Sequence, residues 1–129
     1  MQFLPLRLPP GADLRGALEE ALRDAATDSA FVVCGIGSLT GARLRYADEP
    51  LEATIAGPLE IVSLSGSLTR SGPHLHMSVS DASGRVCGGH VGHGNVIRTT
   101  AEILLALLPQ GALDREHDAA TGFSELVVR

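Results

Sequence analysis

The chain of 129 residues contains no lysine and no tryptophan. Aromatic residues make up only 3% of it, so the core must be assembled from Leu, Val, Ile and Ala. No apolar run approaches the roughly 18 residues that a membrane span requires. The opening "MQFLPLRLPPG" breaks at prolines and has no basic segment leading into an apolar one. No signal peptide is visible, and a cytoplasmic location is the expectation. Every basic residue is arginine, the net charge is -5, and only Arg43 and Arg45 lie close together. A protein that grips DNA through its phosphates carries a basic stripe, so direct DNA binding is disfavoured. The two cysteines, Cys34 and Cys87, form no C-x-x-C and are expected as free thiols in the core. Neither a phosphate-binding G-x-x-x-x-G-K-S/T nor a G-x-S-x-G nucleophile turn occurs. "GIGSLTG" is glycine-rich, but a strand follows it rather than a helix, so a hairpin turn is expected there.

What is present reads as one domain spanning residues 1–129, with 44% apolar residues. Phe3 to Leu8 reads as a short strand, with Pro5 marking an edge. Asp13 is placed to cap a helix whose Leu14, Ala17, Leu18, Ala21, Leu22 and Ala25 share one face. "SAFVVCGIGSL" reads as a buried strand and "GARLRYA" as the next, with Leu44 and Tyr46 facing away from Arg43 and Arg45. A short strand, a Gly-Pro turn and a strand from about Leu59 to Leu68 follow. In that strand Leu59 and Ile61 face one way and Val62 and Leu64 the other. "NVIRTTAEILLALLP" places Ile97, Ala101, Leu104, Leu105 and Leu108 at helical spacing, with Pro109 as the stop. The tail ends in a strand or extended segment over Phe123–Val128. The expected fold class is therefore α+β: a largely antiparallel sheet of about six to eight strands with two helices packed against it.

Four of the five histidines lie in "GPHLHMSVSDASGRVCGGHVGHG". Strand alternation turns His74 and His76 to one face and Leu75, Met77 and Val79 to the core. If Ala82–Gly84 form a three-residue loop, Asp81 pairs with Arg85 and His76 lies opposite His90. A shift of one residue would send His90 to the other face. Three neutral imidazoles with an open fourth position suit zinc or a related ion. The same residues also fit a polar or interface cluster, or an acid–base pair, and the spacing leaves these readings open. His93 reads as a solvated loop residue or a fourth ligand. Cys87 faces the core, and His117 sits in an acidic surface turn. Glu102 either pairs locally on the second helix or reaches the histidines from it.

The stretches Gly57–Gly66 (G-x-x-E-I-x-S-L-x-G), Asp81–Gly89 (D-x-x-G-x-V-x-G-G) and "TGFSEL" give the chain a family resemblance. It resembles the plant and prokaryote conserved (PPC) domain family, stand-alone prokaryotic type, over essentially its whole length. The resemblance implies a homotrimer. In plant members the domain lies behind an AT-hook with an R-G-R-P core. No R-G-R-P occurs here, so the DNA binding of plant members does not carry over. The prokaryotic pattern P-H-L-H and G-G-H matches His74, His76 and His90, and implies a site for a divalent metal, zinc first, or a small ligand near a subunit boundary. The expected function is a trimeric metal-binding protein. A DNA-associated regulator acting through the oligomer and a metal-dependent enzyme using Glu102 are the alternatives.

Overall fold

Period-two alternation of Leu, Ile, Val and Ala governs most of the chain, and most of the chain is accordingly strand. A computed structural model describes residues 2–129 as β1 (Gln2–Leu8), α1 (Leu14–Asp24), β2 (Ala30–Arg45), β3 (Ala53–Thr69), β4 (Gly72–Ser80), β5 (Val86–Val91), β6 (Ile97–Leu107), β7 (Leu113–Asp118) and β8 (Phe123–Val128). The first six strands form one sheet in the order β1-β6-β2-β3-β4-β5, and β7 and β8 pair separately. All pairings are antiparallel. The end of β2 also pairs with β5, so the sheet curls and closes on itself there. β1 is the free edge, the kind of strand in which a proline such as Pro5 is tolerated.

The α+β class holds, but only one helix exists among the described residues. In α1, Asp13 caps as expected: its carboxylate accepts from the Gly16 N–H at 2.9 Å, and Leu14, Leu18 and Leu22 are buried. The expected second helix is the strand β6, hydrogen-bonded to β1 on one side and β2 on the other. Ala101, Ile103, Leu105 and Leu107 are buried in alternation. A central strand is apolar on both faces, and an apolar run of this kind carries helical and strand spacing at once. The β-branched Ile97, Thr99 and Thr100 favour the strand.

The two expected breaks in β2 and β3 are also absent. "GIGSLTG" lies inside β2, not in a turn. A side-chain carbon on Gly37 would come within 2.7 Å of Ala101 Cα, so the glycine serves close packing of β2 on β6. Gly57 and Pro58 form no turn either. The register passes from Leu39↔Leu59 to Gly41↔Ala56, so Gly57 and Pro58 together oppose Thr40 as a bulge within β3. A second shift, between Ile61↔Val79 and Ser63↔Ser78, leaves Val62 exposed and turns Leu64 into the core beside Leu59 and Ile61. That corrects the expected facing of Leu64. A third shift, at Val33, leaves Cys34 exposed rather than buried.

Candidate metal centre

The hairpin β4–β5 has the register on which the histidine site depends. The Asp81 N–H donates to the Arg85 carbonyl at 2.9 Å, and Gly84 has φ +81. The Asp81 carboxylate accepts from the N–H groups of Ser83 and Arg85, which fastens the loop. His76 then pairs with His90 across the two strands. Leu75, Met77 and Val79 fill the core beneath, and Cys87 is partly buried against that core, as its alternation requires.

His74, His76 and His90 converge. One ring nitrogen from each lies within 4.8 Å of the others. His76 Nε2 and His90 Nδ1 are 3.4 Å apart. Bonds of 2.0–2.1 Å to a tetrahedral ion set ligand nitrogens about 3.4 Å apart, so this pair already has the separation of two zinc ligands. His74 stands with its ring centroid 4.9 Å from that of His76 and 5.0 Å from that of His90. The donor set therefore fits a metal through three imidazoles. Burial pushes His90 down to about 4, aided by the positive charges of His74 and Arg45. Burial also lowers His74, with Arg115 adding to the effect and Glu125 opposing it. Both are neutral near pH 7, the state that leaves a lone pair for a metal.

Close backbone approach holds the site at the curl of the sheet. A side-chain carbon on Gly89 would lie 2.8 Å from the Arg45 carbonyl oxygen, so only glycine lets β5 reach β2 beside His90. The histidines open into a concavity of about 950 Å³. Its walls include Arg45, the loop Tyr46–Pro50, and Arg115, Phe123 and Glu125 from the β7–β8 hairpin. Sequence spacing did not single out Arg115 or Glu125, because only the tertiary fold brings β7 and β8 to the histidines.

The other candidates lie elsewhere. His93 is outside the cluster: its Nδ1 is 3.1 Å from an Asp13 carboxylate oxygen, at the start of α1. His117 is on β7, opposite Ser124, and not in a turn. Glu102 is on β6 and opens into a different, largely apolar concavity beside Val33, Ile36 and Val62. The two concavities share no lining residue, so within one chain Glu102 and the three histidines line different concavities. No helix is long and apolar enough to cross a membrane.

The Plants and Prokaryotes Conserved (PCC) domain matches residues 1–109. The chain is 44% identical over 129 residues to the bifunctional protein GlmU of a Synechococcus strain, and spans 20% of the length of that relative. Among solved structures, a hypothetical protein of Salmonella enterica is 35% identical with a TM-score of 0.93, over 99% of this chain and 93% of that one. A metal-containing protein of Archaeoglobus fulgidus is 30% identical with a TM-score of 0.83, over 98% and 94% of the two chains. A protein of Ralstonia eutropha, named as a candidate DNA-binding protein, is 26% identical with a TM-score of 0.84, over 97% and 90%. With this fold and this match along the sequence, the chain belongs to the Plants and Prokaryotes Conserved domain family, the one that its sequence motifs resemble.

Proposed function

We propose that this protein binds a divalent transition metal, zinc first, through His74, His76 and His90, with water or a small ligand completing the shell. The observation that carries the reading is the 3.4 Å separation of His76 Nε2 and His90 Nδ1 with His74 alongside. The metal-containing relative from Archaeoglobus fulgidus supports it. A bound ion would supply Lewis acidity and would acidify a coordinated water. The test is metal content after native purification of the wild type and His76→Ala. The wild type is expected to carry metal and the variant to lose it. Equal, near-zero occupancy in both overturns the reading.

The protein is also proposed to assemble as a homotrimer. Val33, Ile36 and Val62 are half exposed around the apolar concavity, which suits burial against another copy of the chain. Sedimentation should give three times the 13.4 kDa chain mass, and Val62→Arg should shift it toward monomer. A purely monomeric wild type removes the proposal.

The name of the Ralstonia eutropha relative favours DNA association as a second reading. The net charge of -5 opposes it. Gel shifts with AT-rich duplex at low and moderate salt decide the matter, since binding through phosphates weakens steeply with salt. No salt-sensitive binding removes this reading.

A further inference from the structure

Two arginines stand one step from the candidate ligands. Arg45 is the direct β2 partner of His90. Arg115 donates to the Ser67 hydroxyl at 2.9 Å, and Ser67 is the β3 partner of His74. Both arginines line the histidine concavity. Neither takes part in the arginine ion pairs among the described residues, which use Arg15, Arg43, Arg70 and Arg129. Among the described residues, the Arg45 guanidinium donates only to the Glu49 carbonyl oxygen, at 3.3 Å. Two guanidinium groups beside a cation site oppose the cation by their charge. Their placement has a use if an anion sits between them and the ion, because the guanidinium fork matches the oxygens of a carboxylate or phosphoryl group.

We infer that the metal centre takes an oxyanion, a small molecule bearing a carboxylate or phosphoryl group, held jointly by the ion and by Arg45 and Arg115. The inference rests on the metal reading above. Asp48, Glu49 and Glu125 also line the concavity, so without the ion its carboxylates outnumber its guanidinium groups. A divalent ion reverses the balance. Oxyanion binding is therefore conditional on metal. Glu125 stands on the opposite side of the charge balance from Arg115, and its removal should favour the oxyanion while weakening the hold on the ion.

The experiment uses Co(II) as the probe metal, followed by its visible absorption, with acetate in one arm and methylphosphonate in the other. In the wild type, at least one of the two should perturb the Co(II) spectrum saturably, and neither should bind measurably to metal-free protein. Arg45→Gln and Arg115→Gln should each weaken the oxyanion by about tenfold, the worth of one charge-assisted contact, while Co(II) binds as tightly or tighter. Arg45→Lys should recover part of the loss. Glu125→Gln should move both affinities the other way. The opposite signs separate a ligand-binding role from a structural one, since a damaged fold weakens metal and oxyanion together. Parallel losses, an unperturbed spectrum with both probes, or oxyanion binding indifferent to both arginine substitutions overturns the inference while leaving the metal reading intact. Failure of the wild type to bind Co(II) overturns both.

Discussion

His90 and Arg45 are backbone partners at the one place where the sheet closes on itself, with β5 brought against the end of β2. The candidate metal centre thus shares its foundation with the closure of the fold. Gly89 makes the approach possible, because a side-chain carbon there would lie 2.8 Å from the Arg45 carbonyl oxygen. The obstacle is backbone and cannot rotate away. Gly89→Ala should destabilise the protein by about 1–3 kcal/mol, the range for overpacking a tight site. It should also weaken Co(II) binding, because His90 moves with the strand. Denaturant melts and a cobalt titration check the two effects, and wild-type values in both would refute this account of the closure.

Asn95 is fully buried just before β6. Its Oδ1 accepts from the Arg43 N–H at 2.9 Å, and its Nδ2 donates to the carbonyls of Arg43 and Gly92 at 3.2 and 3.1 Å. Asn95→Ala would leave these backbone groups short of partners out of reach of water. The expected loss is about 1–3 kcal/mol or more, read from urea unfolding. Asn95→Asp should cost at least as much at neutral pH, since it sets a buried carboxylate against the Arg43 and Gly92 carbonyls in place of a donor.

Asp13 gives a pH dependence of definite sign. Burial pushes its carboxyl up, but hydrogen bonds from the Gly16 and Gly94 N–H groups, together with His93, bring it below the ordinary 3.8. The folded state therefore favours the carboxylate more than the unfolded chain does. The stabilisation is complete above about pH 5 and disappears as pH falls through 3.8 toward the lowered value. Asp13→Asn keeps a helix cap and removes this dependence. Thermal melts at pH 6 and pH 3.5 should show a smaller drop for Asp13→Asn than for the wild type, and equal drops would contradict the assignment.

Glu102 belongs to the apolar concavity and not to the histidine centre. Glu102→Gln should leave metal content and Co(II) affinity within about twofold of wild type, a difference of a few tenths of a kcal/mol. A loss of tenfold or more would place it back at the site.

The histidine centre was legible because it needs only local rules. Strand alternation sets the faces of His74 and His76, and the Asp81–Arg85 loop sets the partner of His90. The capped helix was legible for the same reason, since Asp13 and Leu14, Leu18 and Leu22 lie within a few turns. β6 was misread because Ile103 to Leu107 is apolar on both faces, and such a run does not declare its period. The continuity of β2 and β3 was hidden by Gly37, Gly57 and Pro58, which punctuate turns in isolation. Here they serve close packing and a bulge. Arg115 and Glu125 could not be placed, because nothing local says that β7–β8 comes to the wall of the histidine concavity.

All three candidate ligands fall between positions 74 and 90, on one hairpin, with no ligand from a distant strand. An unfolded chain keeps the same three imidazoles within a short loop, so it would keep part of the affinity of the proposed site. Saturating metal should then raise the melting temperature by less than the native dissociation constant implies, because binding to the unfolded chain offsets part of the gain. If the proposed ion binds, it would be able to engage the hairpin before β2 closes upon β5.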